Sequence, residues 1–166
     1  MSSSLLGGVV AGAAAGIVAS FVMDRFQRVW TVIADTRKPA EPKPEPSTVK
    51  AADKVWMAVS GKPIPKRFRP ASGQALHYGL GAALGGVYGG VAHVSPAITK
   101  GRGSGFSSAI WLGLDEGLLP RLGLGKTWTD TPAAEHLYGF LSHAVFGASL
   151  EAARRLTGRG VLPRAG

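Results

Sequence analysis

Four stretches of this chain read as helices able to cross a bilayer, separated by polar segments of very different character. The first, residues 5–23, reads LLGGVVAGAAAGIVASFVM and carries no charge. As a helix it rises about 28 Å, close to the thickness of a hydrocarbon core. A cleaved signal peptide is the alternative, but the preceding MSSS lacks a positively charged n-region. Beyond residue 23 the pattern turns amphipathic. Phe26, Val29, Trp30 and Ile33 share one face, opposed by Asp24, Arg25 and Arg28. The helix is therefore expected to emerge into the headgroup layer with Trp30 at the interface.

A polar connection, residues 34–71, follows. Prolines 39, 42, 44 and 46 block helix and ladder pairing and favour a solvated, polyproline-like spacer. Ser47 or Thr48 can cap a short helix over about 48–60, ended by Gly61 and Pro63. Its Val49, Ala52, Val55, Trp56 and Val59 fall largely on one side. That pattern predicts a helix lying on the membrane surface or folded back over the bundle. The second predicted span covers about 74–94 and stops at Ser95-Pro96. The third covers 103–120 and is interrupted by Asp115 and Glu116, so a re-entrant segment is its alternative. The fourth covers 133–150, followed by Glu151 and the snorkelling pair Arg154-Arg155. The pattern thus predicts one all-α domain over residues 1–166, an integral membrane four-helix bundle with one interfacial amphipathic helix.

Composition supports this. Of 166 residues, 24 are Gly and 17% are charged, against about 25% charged in an ordinary soluble chain. Net charge is +9, but 11 of the 19 Lys and Arg lie between Arg25 and Arg69, and none lies in an apolar run. Basic residues flanking apolar helices suit the negative cytoplasmic leaflet, and no nucleic-acid motif accompanies them. The expected partners are the lipid bilayer and a second copy or another membrane protein, not nucleic acid. Cysteine is absent, which excludes a disulfide frame and thiolate chemistry.

In lipid, apolar side chains gain nothing by meeting one another rather than acyl tails, so close backbone approach drives helix association. Small residues spaced four apart mark such faces, in the manner of a glycine zipper. The first span has Gly8, Gly12 and Gly16, then Ser20; the second has Gly81, Gly85 and Gly89. The third has Gly105, Ala109, Gly113 and Gly117, and the fourth has Gly139 and Gly147 either side of His143.

An ionisable residue inside a span is costly and faces protein or water. His77, Asp115, Glu116 and His136 fall at the same end of their spans, with His143 about 10 Å deeper by helical rise. They share faces with the glycine stripes and are expected to form one polar layer. His93, near the opposite surface, is expected to stand apart. The first reading of the layer is a hydrogen-bond network fixing helix register. A proton or ion path is the second, because His and Glu exchange protons at accessible pH. A bound metal or haem is the third, although the Glu-x-x-His signature of di-iron bundles is absent. No catalytic residue and no definite cofactor or metal site is predicted.

ALHYGLGAALGGVYGGVAHVSP, WLGLDEGLLPRLGLGKTW and EHLYGFLSHAVFGASLEAARR, over about residues 72–156, resemble the YagU-like family of bacterial inner-membrane proteins. The matching positions are His77, Tyr88-Gly89, Pro96, Trp111, Pro120, His143, Glu151 and Arg154-Arg155. The founding sequences carry a His where this chain has Asp115-Glu116, which argues against a strict metal-ligand role there. The resemblance implies a multi-pass inner-membrane location and no established activity. An even number of spans puts both termini on one side. The positive-inside rule then places the basic connection in the cytoplasm, whereas the basic termini of YagU-type members suggest the reverse. Together these readings predict a structural or accessory membrane component, with a proton or ion conductor as the alternative and a metal- or haem-binding protein as the second alternative.

Overall fold

The computed structural model describes residues 5–35 and 45–160, so Pro39, Pro42 and Pro44 of the expected spacer lie outside the described residues. Among these residues every regular element is helical and there is no strand. The main helices are α1 (Leu5–Asp35), α2 (Ser47–Ser60), α3 (Arg69–Val94), α4 (residues 104–121) and α5 (Ala133–Gly160). Each predicted helix is present, but α1, α3 and α5 extend beyond the predicted spans. Among the described residues, α1 over Leu5–Ile33 is the one helix long and apolar enough to cross a membrane by composition. Glycine, histidine and tyrosine dilute the hydropathy of α3 and α5, and α4 is not continuous.

The four-residue spacing of glycine dictates how α1 meets α3. The two run antiparallel, with Gly8 beside Gly89, Gly12 beside Gly85 and Gly89, and Gly16 beside Gly81 and Gly85. A methyl group on Gly12 would overlap the Gly85 carbonyl oxygen and come within 2.8 Å of the Gly89 Cα. One on Gly85 would overlap the Gly12 carbonyl oxygen and come within 2.8 Å of the Gly16 Cα. Ser20 closes this seam against Gly81. On its other side α1 packs against α5, where Ala15, Ala19 and Met23 join Phe146, Leu150 and the fully buried Tyr88 of α3.

The distribution of side chains is the inverse of that in a water-soluble core. Glycine, alanine and serine fill much of the interior, while Leu6, Val10, Ile17, Val18 and Phe21 of α1 and Leu80, Val87 and Val94 of α3 face outward. In water such a surface would be an association hazard; against acyl chains it costs nothing.

α4 departs from a single span. An α-helix, Ser104–Ile110, passes into a π-helical stretch, Trp111–Leu118, and ends in one turn, Leu119–Arg121. Pro120 has no N–H to donate to the carbonyl of Glu116, which loosens the regular bonding near this end. The turn before α4 carries three successive positive φ values, at Gly101, Arg102 and Gly103. At Gly103 (φ 82°) glycine is also needed for space, because a methyl would run into the Gly147 carbonyl of α5.

The stripe predicted on the third span does not form the helix contact. A Cβ on Gly105 or Gly113 would meet nothing within 4 Å, and one on Gly117 would meet only atoms of α4 itself. Gly105 lies in the regular α-helical part but on a different face from Ser107, which meets α5. Beyond it the π-helical turn changes the residue period, so the 3.6-residue face does not carry through to Gly113 and Gly117. The α4–α5 contact instead uses Gly103 and Ser107 against Gly147, and the Trp111 ring against Gly139.

α2 ends at Gly61 in the left-handed region (φ 70°), as the sequence predicts. Val49 is buried against Gly73 at the start of α3. Arg69 is bound by Glu45 at 2.9 Å and by Asp53 at 3.0 Å. Val55, Trp56, Met57 and Val59 remain exposed.

Candidate functional site

The polar residues near the ends of α1, α3, α4 and the start of α5 form three histidine–carboxylate pairs. His136 Nδ1 lies 2.8 Å from Glu116 Oε1, and its Nε2 lies 3.1 Å from the Trp128 carbonyl. Both ring nitrogens face acceptors, so the doubly protonated ring is the form that satisfies both. The Trp128 ring covers this imidazole, with centroids 4.2 Å apart. His143 is buried; its Nδ1 lies 3.0 Å from the Gly139 carbonyl and 3.8 Å from Asp115 Oδ2. His77 Nε2 lies 3.3 Å from Asp24 Oδ1, without the alignment of a hydrogen bond. Asp115 is within electrostatic reach of His143, Glu116 and His77 and so links the pairs.

The π-helical stretch explains how neighbouring acids serve histidines seven residues apart. Its wider i→i+5 winding lowers the rotation between adjacent residues. Asp115 and Glu116 therefore both turn toward α5, one to each histidine. Asp24 is the residue that sequence reasoning missed. The amphipathic pattern sets it with Arg25 and Arg28 opposite the Phe26 face, but its Oδ2 accepts hydrogen bonds from Gln74 (2.6 Å) and Tyr78 (3.1 Å) of α3. A signal existed in the sequence: Asp24 follows directly on an apolar run whose opposite end is glycine-paired, and it falls on the side of Ser20.

A second polar cluster, absent from the predicted site, occupies the other end of the bundle. Glu151, 1% exposed, accepts hydrogen bonds from Tyr88 (2.9 Å), from Arg154 Nε and Nη2 (2.8 and 2.9 Å) and from Arg155 Nε (2.6 Å). Glu151 follows the last residue of the fourth predicted span. Burial works against its charge, and the hydrogen bonds from Arg154, Arg155 and Tyr88 offset that cost. The arginines read as snorkelling are thus turned at least partly inward, onto a carboxylate of their own helix.

Between the two polar ends, Phe146 and Leu150 of α5 and Ala15 and Ala19 of α1 form an apolar layer. The hydroxyl of Ser20, which is buried, has no hydrogen-bond partner among the described residues. Among the described residues, no three His, Cys, Asp or Glu side chains come together in an arrangement that could hold a metal ion. The pairs can fix helix register and exchange protons locally. His93 lies at the far end of α3, where its Cβ approaches Gly8.

A family model described as a protein of unknown function (DUF1440) matches residues 29–152. No curated protein and no solved structure matches the chain.

Proposed function

This chain belongs to the DUF1440 family of proteins of unknown function, and we propose that it is a multi-pass membrane protein with a structural or accessory role. The observation that carries this reading is the inverted distribution of side chains, with glycine seams inside and large aliphatic residues outside. α3 and α5 are long enough to cross, rising about 39 and 42 Å, and α4 rises about 27 Å. On this reading α1, α3, α4 and α5 are the four spans, the α1–α3 seam is a glycine zipper, and α2 rests its exposed Trp56 side on the bilayer surface. A bacterial inner membrane, implied by the YagU-like resemblance, is part of the same proposal.

The histidine–carboxylate pairs act as register locks in this reading. The apolar layer of Ala15, Ala19, Phe146 and Leu150 between the two polar ends favours that role over conduction. Self-association or docking to another membrane protein follows from the accessory role.

The absence of native cysteine makes the test direct. Single cysteines at Ile17, Leu80 and Val87 are expected to resist a membrane-impermeant maleimide in intact vesicles. Those at Ser60 and Lys126 should react from one side and those at Lys100 from the other. A chain that stays monomeric in water without detergent overturns the membrane reading. A lone monomer after purification in mild detergent, with no copurifying protein, overturns the accessory role.

A further inference from the structure

The helix α1 continues past its apolar run, and its polar extension has a direction. Asp24, Gln27, Arg28 and Thr31 recur at the i, i+3, i+4, i+7 spacing of a single helix face. With Val32, Gln74 of α3 and Tyr138 of α5 they line a cleft of about 530 Å³. Of Asp24, which lines it, Oδ2 is engaged by Gln74 and Tyr78, while Oδ1 has, among the described residues, the misaligned His77 nitrogen at 3.3 Å. An ionised carboxylate has about four lone-pair sites, so Oδ1 retains accepting capacity. Arg28 stands one helical turn further out, is exposed, and forms no ion pair among the described residues. The cleft therefore presents an acceptor anion and an exposed cation about 6 Å apart along the axis. It opens where the apolar run ends, beside the Trp30 and Tyr138 rings, whose centroids are 5.8 Å apart. Aromatic pairs of this kind mark the headgroup level.

We propose that this cleft binds the headgroup of an aminophospholipid, with its phosphate on Arg28 and its primary ammonium on Asp24 Oδ1. This rests on the membrane reading above. A phosphate accepts from the planar guanidinium, and a primary ammonium brings three N–H donors to the carboxylate. A choline headgroup has no N–H to offer Asp24. An anionic glycerol headgroup satisfies Arg28 but sets no cation against Asp24. Gln27 and Thr31 add neutral hydrogen-bonding groups, and the exposed Val32 offers apolar surface to the glycerol region.

The test titrates the purified chain in detergent with lysophosphatidylethanolamine, lysophosphatidylcholine and lysophosphatidylglycerol, and separately with free phosphoethanolamine, reading occupancy by native mass spectrometry. The ethanolamine lipid is expected to bind about tenfold more tightly than the other two, the worth of one charge-assisted hydrogen bond. Arg28→Gln should weaken it about tenfold, and Asp24→Asn should abolish the preference for ethanolamine over choline. Arg28 makes no hydrogen bond within the described chain, so its variant keeps the test valid if Asp24→Asn fails to fold. Equal binding of all three lipids, a preference for glycerol, or an Arg28→Gln protein with unchanged affinity overturns the proposal. So does free phosphoethanolamine binding as tightly as the lipid, which makes the ligand a soluble phosphoamine. A chain needing no detergent sinks the membrane reading; one that needs it but shows no ethanolamine preference sinks this inference alone.

Discussion

Substituting Gly85 by alanine places a methyl group in a seam with no room for it. Its carbon would overlap the Gly12 carbonyl oxygen and lie 2.8 Å from the Gly16 Cα and 2.9 Å from the Gly16 nitrogen. Carbon atoms rest about 3.5–4.0 Å apart, so α1 and α3 must separate by about 1 Å. A gap of that size forfeits a quarter to a half of each dispersion contact, and over the few dozen atom pairs of such a seam the loss is about 2 kcal/mol. Overpacking strain of about 1–3 kcal/mol is the comparable figure from core substitutions. Gly12→Ala should cost as much, and the double variant less than the sum, because one separation relieves both clashes. Gly79→Ala is the control: it lies on the same helix with nothing within 4 Å of the added carbon, and it should be neutral or raise stability by up to about 1 kcal/mol through helix propensity. The assay is reversible unfolding in mixed micelles as sodium dodecyl sulfate is titrated, followed by tryptophan fluorescence. Gly12→Ala and Gly85→Ala proteins as stable as Gly79→Ala would refute the close approach of the two backbones.

On α4, Gly113→Ala should leave stability within about 0.5 kcal/mol of the parent, whereas Gly147→Ala, whose methyl would meet Ser107 and the Gly103 carbonyl, should cost about 1–3 kcal/mol in the same assay. Removing the carboxylate with Glu116→Ala leaves His136 Nδ1 without its acceptor and should lower stability in the same assay, with Trp128 emission reporting the altered ring stack. Glu151→Gln removes the charge that Tyr88, Arg154 and Arg155 all hydrogen-bond, and should cost about 1.5–3 kcal/mol in the same assay. Tyr88→Phe, which removes one donor to that carboxylate, should cost about 1.5–3 kcal/mol.

The candidate site was legible in kind but not in its pairing. His77, Asp115, Glu116, His136 and His143 were placed toward one end of the bundle by counting residues from span boundaries, and the structure has them in three linked pairs there. Counting did not supply Asp24, because a charge just past an apolar run reads equally well as solvated headgroup contact. Nor did it supply the role of Glu151. A carboxylate followed by arginines at i+3 and i+4 looks like a surface ion pair until Tyr88 arrives from another helix.

The helical class, the apolar run of α1 and the matched glycine spacing on α1 and α3 could be read from the chain alone, because period and composition are properties of one helix at a time. Which faces meet follows from packing between helices. A helical period says which residues share a side, not which neighbour that side finds. Gly105 lies on a face of α4 turned away from the contact that Gly103 and Ser107 make with Gly147, and the π-helical turn further along shifts the period before Gly113.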